Sequence, residues 1–179
     1  MKKTAVALLL GLLGLAAAQA EKADSTKEAT LEADQAVIDN VKQVSTLTGN
    51  VVLARGTLLL KAGKAIHTTD PAGYDFVSLY AAPGQTVSFR QKRDGGDLWV
   101  EGQAERVEYD GKTEIVQFFT KAKLRQLEGA RTTEEITGDF ISYNSRSEIF
   151  SVNAKSGGEN VAGSGRVKMV LQPAKGGAK

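Results

Sequence analysis

Apart from an apolar opening, hydrophobic and polar positions alternate along this chain with a period of two, and no run keeps helical spacing for more than two turns. Leu47, Val51 and Leu53 are set against Thr48, Asn50 and Ala54, and Leu58 and Leu60 against Thr57, Leu59 and Lys61. Successive side chains of a strand leave on opposite faces, so these runs predict strands with one apolar face. The pattern returns at Val107/Tyr109, Ile141/Tyr143, Phe150/Val152 and Val167/Met169/Leu171. Opposite them stand Arg106, Glu108, Gln117, Lys123, Ser142, Ser151, Arg166 and Lys168.

Turn chemistry separates the runs: Arg55-Gly56, Asp94-Gly95-Gly96-Asp97, Asp110-Gly111-Lys112, Asn144-Ser145-Arg146 and Lys155-Ser156-Gly157-Gly158. Strands joined by such turns predict an all-β antiparallel meander. A looser excursion is expected from Thr69 to Gln85, which carries Pro71, Gly73, Pro83 and Gly84, with a short strand from Phe76 to Tyr80. Strand-like segments also stand at the two ends, Ser25 to Ile38 and Arg166 to Leu171.

A weak internal repeat is present. Leu31-Glu32-Ala33-Asp34 resembles Val100-Glu101-Gly102-Gln103, and Leu47 to Arg55 lines up with Phe118 to Gln126 at an offset of 71. Leu47, Gly49, Val51 and Leu53 then share parity with Phe118, Thr120, Ala122 and Leu124. An ordinary sandwich core explains a one-sided apolar pattern. Aromatic residues are few, however, and the inward set mixes aliphatics with Gly, Ala and Thr, which suits a lined groove filled by a guest.

The opening changes the compartment. Lys2 and Lys3 precede an apolar stretch from Ala5 to Ala18 and the small-residue pattern Ala18-Gln19-Ala20, the layout of a cleavable secretory signal over residues 1–20. That stretch is shorter than the ~20 residues a membrane-spanning helix needs. Residues 21–171 then form one β-domain and 172–179 a disordered basic tail. Removing Lys2 and Lys3 from 23 basic residues leaves 21 against 21 acidic ones. A neutral mature chain points away from nucleic acid and anionic membranes as partners. With no cysteine there is no lipid-modified N-terminus, disulfide or thiolate chemistry.

Catalytic chemistry has few residues to carry it. His67, the single histidine, follows Ala65-Ile66 in a strand-like run and reads as a partly exposed strand residue without an accompanying nucleophile motif. One His and no Cys leave only carboxylates for a cation, and no calcium loop is present, so neither metal nor cofactor is expected. Gly157-Gly158-Glu159 and Gly163-Ser164-Gly165 read as turns rather than phosphate cradles. Glu134 and Glu135, as strand neighbours, point to opposite faces and cannot converge on one bond. An enzyme is not expected.

The chain also resembles the LptA family, the periplasmic bridge of lipopolysaccharide transport. The resemblance rests on an ordered series: Leu31-Glu32-Ala33-Asp34-Gln35, Leu47-Thr48-Gly49-Asn50-Val51-Val52 with Gly56-Thr57, and Ser88-Phe89-Arg90-Gln91. Val100-Glu101-Gly102-Gln103-Ala104 with Tyr109, and Ile136-Thr137-Gly138-Asp139 with Ile141 and Tyr143, continue it. Two departures stand out, Phe119-Thr120-Lys121 where the family often repeats Thr-Gly-Asn, and Gly129-Ala130-Arg131-Thr132-Thr133, which lengthens one connection.

The resemblance implies an open, twisted antiparallel β-jellyroll, V-shaped, whose apolar groove takes acyl chains. Its N-terminal edge would join an LptC-type inner-membrane component and its C-terminal edge an LptD-type outer-membrane component, with end-to-end homo-oligomers by the same strand pairing. The expected lining is Leu31, Leu47, Val51, Leu53, Leu58, Leu60, Phe89, Val107, Tyr109, Val116, Phe118, Leu124, Ile141, Tyr143 and Phe150. Two other readings are an LptC-type component that keeps its N-terminus in the membrane and a structural or adhesive β-repeat protein with a packed core.

Overall fold

The computed structural model describes residues 27–144, 147, 149–154 and 167–172. The expected signal, the turns at 145–146 and 155–158, the glycine pairs at 157–158 and 163–165, Ser25, Arg166 and the tail from Pro173 lie outside the described residues. The rest is all strand: β1 (Ala29–Glu32), β2 (Gln35–Asp39), β3 (Val44–Arg55), β4 (Leu58–Thr69), β5 (Asp75–Tyr80), β6 (Val87–Arg93), β7 (Leu98–Ala104), β8 (Arg106–Asp110), β9 (Ile115–Glu128), β10 (Arg131–Asn144), β11 (Ile149–Asn153) and β12 (Lys168–Leu171).

The connectivity is richer than a meander. Strands β3, β4, β9 and β10 are long, and each changes partner midway: β3 pairs with β2 through Val44–Thr48 and with β1 through Val52–Arg55. Likewise β4 divides between β6 and β5, β9 between β8 and β7, and β10 between β12 and β11. The long strands thereby run through two sheets. Sheet one has the order β1-β3-β4-β6-β7-β9-β10-β12, and sheet two the order β2-β3-β4-β5-β8-β9-β10-β11. This is the open, V-shaped antiparallel jellyroll, creased where the long strands switch partners.

Bulges make the crease. The β3–β4 register shifts between Thr48 and Val51, where Gly49 and Asn50 have φ of 78° and 45°. Seventy-one positions on, Thr120 and Lys121 have φ of 61° and 54°. An inserted residue bends a strand and sharpens its twist. Inward positions beside the crease are small: Ala62, Ala65, Ala104 and Ala122 are all buried. The small residues expected to leave room for a guest therefore serve the convergence of the two sheets instead.

The repeat is real and its offset uniform. Asp34 N–H donates to Gly49 O at 2.9 Å, and Glu105 N–H to Thr120 O at 3.0 Å. Leu31 pairs with Leu53 as Gly102 pairs with Leu124. Leu31 thus corresponds to Gly102 rather than to Val100, which corrects the sequence alignment of that first segment by two positions. The Phe119-Thr120-Lys121 departure keeps the bulge and changes only its brace, because Asn50 Nδ2 donates to Asp34 Oδ2 at 3.0 Å whereas Lys121 Nζ pairs with Glu105 Oε1 at 2.6 Å. Residues 129–133 do not lengthen a loop. They extend the β9–β10 hairpin, which turns at Gly129-Ala130 and absorbs a register shift between Thr132 and Glu134.

Candidate functional site

Inward rows follow directly from the register. Sheet one presents Leu31, Leu53, Leu60, Phe89, Gly102, Leu124, Ile136 and Met169 side by side. Sheet two presents Leu47, Ala65, Leu79, Val107, Phe118, Ile141 and Val152. Between them lies a cavity of about 210 Å³, open at its mouth.

Leu58, Leu60, Phe89, Val107, Val116, Phe118, Leu124, Tyr143 and Phe150, all expected at the lining, do line this cavity. Leu47, Val51, Leu53, Tyr109 and Ile141 share the inward faces but are buried in packed core outside it, and Leu31 packs half-buried against that core. The expected set is thus divided between the open cavity and packed core. Strand parity fixes which face a residue takes, not whether the opposite sheet stands close or apart. Near the first repeat the sheets close; through the second they part.

Leu79, Val87, Val100 and Ile136 also line the cavity. Val87 shares strand parity with Phe89, a signal present in the sequence, whereas Ile136 lies five positions from Ile141 and faces the same side only because β10 shifts register between Gly138 and Phe140. Gln91, Arg93, Gln126 and Glu134 line it as well, on the lip of sheet one, and a search for apolar positions passes over them. The rings of Phe89 and Phe118, from opposite sheets, lie 6.0 Å apart across the groove. Tyr143 and Phe150 stack at 4.3 Å on the other lip.

The outer face is charged. Arg90 pairs with Glu101 at 3.1 Å, Arg125 with Glu101 at 4.0 Å and Glu135 at 3.6 Å, and Lys123 with Glu135 at 3.7 Å. A depression there is bordered by Lys61, Arg90, Glu101, Lys123 and Arg125. Such exposed pairs add little stability, but they keep this face in water. Glu134 points inward and Glu135 outward, as strand geometry requires.

His67 is a correction. It is 1% exposed, and Nε2 lies 2.9 Å from Asp75 Oδ1, which also accepts from Thr69 Oγ1 at 2.8 Å. Burial came from its inward parity beside Val77 and Ser45. Tyr109, in the same row, has its phenol pushed above the ordinary range by burial, then by the charges of Glu114, Asp75 and Asp110. Among the described residues, no group of three or more His, Asp or Glu side chains could hold a metal ion.

Comparison with known proteins identifies this architecture. Residues 30–149 match the family described as LptA/(LptD N-terminal domain) LPS transport protein. The Lipopolysaccharide export system protein LptA of Haemophilus influenzae is 30% identical over 162 residues, covering 90% of this chain and 87% of that protein. Its namesake in Escherichia coli K12 is 31% identical over 120 residues, 67% of this chain and 61% of that one. The crystal structure of LptH, the LptA homologous periplasmic component of the lipopolysaccharide transport device from Pseudomonas aeruginosa, superposes with a TM-score of 0.66 at 22% identity, covering 84% of this chain and 99% of that one. The chain belongs to the LptA/(LptD N-terminal domain) family of LPS transport proteins.

Proposed function

We propose that this protein is a periplasmic lipopolysaccharide carrier, one segment of a bridge that shields acyl chains between the inner and outer membranes. The observation that carries the reading is the apolar cavity between two sheets whose outer faces are charged. Exposing one chain of a dozen carbons to water costs on the order of 10 kcal/mol, at ~0.8 kcal/mol per CH₂. A groove that covers the chains and leaves the sugars wet removes most of that cost. Movement along it needs no bond chemistry, so the protein acts without being an enzyme. The lipid-contacting residues are those of the expected lining that border open space, foremost Leu58, Leu60, Phe89, Phe118, Tyr143 and Phe150.

The bridge forms through open sheet edges. At the N-terminal edge β2 is exposed, with Val37 and Ile38 both more than half accessible; there we assign the LptC-type component. At the C-terminal edge Ile149, Met169 and Leu171 are exposed, at the place for an LptD-type jellyroll or the next copy of this chain. Strand addition at these edges supplies main-chain hydrogen bonds and continues the groove. Residues 1–20 would direct export and be removed, leaving 21–171 as the carrier domain and 172–179 as a basic tail.

Photoreactive side chains placed at Phe118 and Phe150, against outer-face controls at Gln117 and Ser151, test the reading in cells. Lipopolysaccharide should label from the first pair alone. Equal labelling from both faces, or none from the groove, would refute it.

A further inference from the structure

The lip of sheet one holds a cation in an unusual setting. Arg93, the last residue of β6, is half-buried and lines the groove. Its Nη1 donates to the neutral carbonyl oxygen of Gln126 at 2.5 Å, and Gln126 Nε2 donates in turn to Glu134 Oε2 at 3.0 Å. The amide therefore stands between the guanidinium and that carboxylate. Arg90, Arg106, Arg125 and Arg131 each have a carboxylate within 4.0 Å, whereas among the described residues Arg93 has none. Arg93 Nε is buried and without a hydrogen-bond partner.

A donor left unpaired away from water is unfavourable, and a guanidinium presents its donors in a planar fork that matches phosphate oxygens. Arg125, the other cation at the cavity, is already engaged by Glu101 and Glu135. An amphiphile with its chains between the sheets must carry its head past a lip. The opposite lip offers the Tyr143–Phe150 stack, which is apolar. Arg93 thus meets the head where the apolar lining ends.

We infer that Arg93, backed by Gln126, is a headgroup subsite that binds a phosphate monoester of the carried lipid. The assignment rests on the lipid-carrier reading and adds a polarity to it: the phosphorylated end of the lipid lies along sheet one. Gln126 holds the guanidinium in place and Glu134 holds Gln126, so Gln126 and Glu134 are positioning residues.

The test compares the full-length mature protein with its Arg93→Gln and Arg93→Lys variants, using lipid A carrying its phosphates and the same lipid enzymatically dephosphorylated. Arg93→Gln should weaken binding of the phosphorylated lipid roughly tenfold or more, the loss of one charge-assisted contact, and leave the dephosphorylated lipid unchanged. Arg93→Lys should fall between, since it keeps charge but not the fork. Millimolar inorganic phosphate should displace neither lipid. Equal losses for both lipids would make Arg93 merely structural, and no loss for either would remove the subsite; both results leave the carrier reading standing. Displacement of the lipid by inorganic phosphate would identify a free-anion site and overturn the headgroup assignment. Wild-type protein that binds neither lipid would overturn the carrier reading and this one with it.

Discussion

The Phe89 ring lies directly over Gly102, so that a β-carbon built on the glycine would fall 2.1 Å from Phe89 Cε1 and 2.9 Å from Leu124 Cδ2. Gly102 occupies the repeat position of Leu31, and its missing side chain is what lets an aromatic ring lie in the groove floor. Gly102→Val should push Phe89 out of its rotamer and cost about 1–3 kcal/mol of stability. Denaturant unfolding of Gly102→Val, Phe89→Ala and the double variant checks this: the two losses should be non-additive, with part of the Gly102→Val cost absent once the ring is gone.

The two bulges make opposite predictions. Thr120, a β-branched residue at φ 61°, should gain about 1 kcal/mol on replacement by Gly, which enters that region without strain. Gly49→Thr should lose more than that, because strain adds to a β-carbon placed 2.1 Å from Asp34 Oδ2. Thermal unfolding of both variants should move in opposite directions.

Phe118 is 3% exposed and bridges to Phe89 across the groove. Phe118→Asp removes a buried aromatic, worth about 3–5 kcal/mol, and adds an unpaired charge. Loss of folded protein in circular dichroism is the expected result. Phe150→Asp, at an exposed lip position, should leave the fold intact and weaken lipid binding. Retained binding in the second variant would count against that lip as part of the lipid path.

Tyr109 supplies a pH dependence. Its folded-state pKa is raised by burial above the unfolded value, so the folded state holds the proton longer. Stability from this group is fully present below the unfolded pKa of about 10 and is lost as pH rises through the higher folded pKa. The denaturation midpoint should therefore fall as pH rises above about 10. Tyr109→Phe should flatten this alkaline fall and leave the neutral range unaltered.

The exposed C-terminal edge predicts association. Ending the chain at Gly165 removes β12 and with it the Met169 and Leu171 side chains, 52% and 67% exposed. Sedimentation should show concentration-dependent oligomers for the full mature chain and fewer for the shortened one.

Much was legible in the sequence by itself. Period-two alternation determined the strands and their inward faces, because parity is a local property of extended backbone. The offset of 71 between Leu47–Arg55 and Phe118–Gln126 located the duplicated hairpins, and Glu134 and Glu135 were separated by the same rule. The ordered motifs carried the family.

Tertiary structure decided the rest. Whether an inward residue lines open space or packed core depends on how far the facing sheet stands away, which no local pattern encodes: Val116 and Ile141 are inward alike, yet only Val116 reaches the cavity. The partner exchange of β3, β4, β9 and β10 is a non-local choice made at bulges, and it alone creates the crease that brings Phe89 to Phe118. His67 was buried by its inward position between Ser45 and Val77, and the β4–β5 turn set Asp75, opposite Thr69, within 2.9 Å of its ring. Arg93, polar and inward, became part of the groove only when the second sheet closed over the apolar rows beside it.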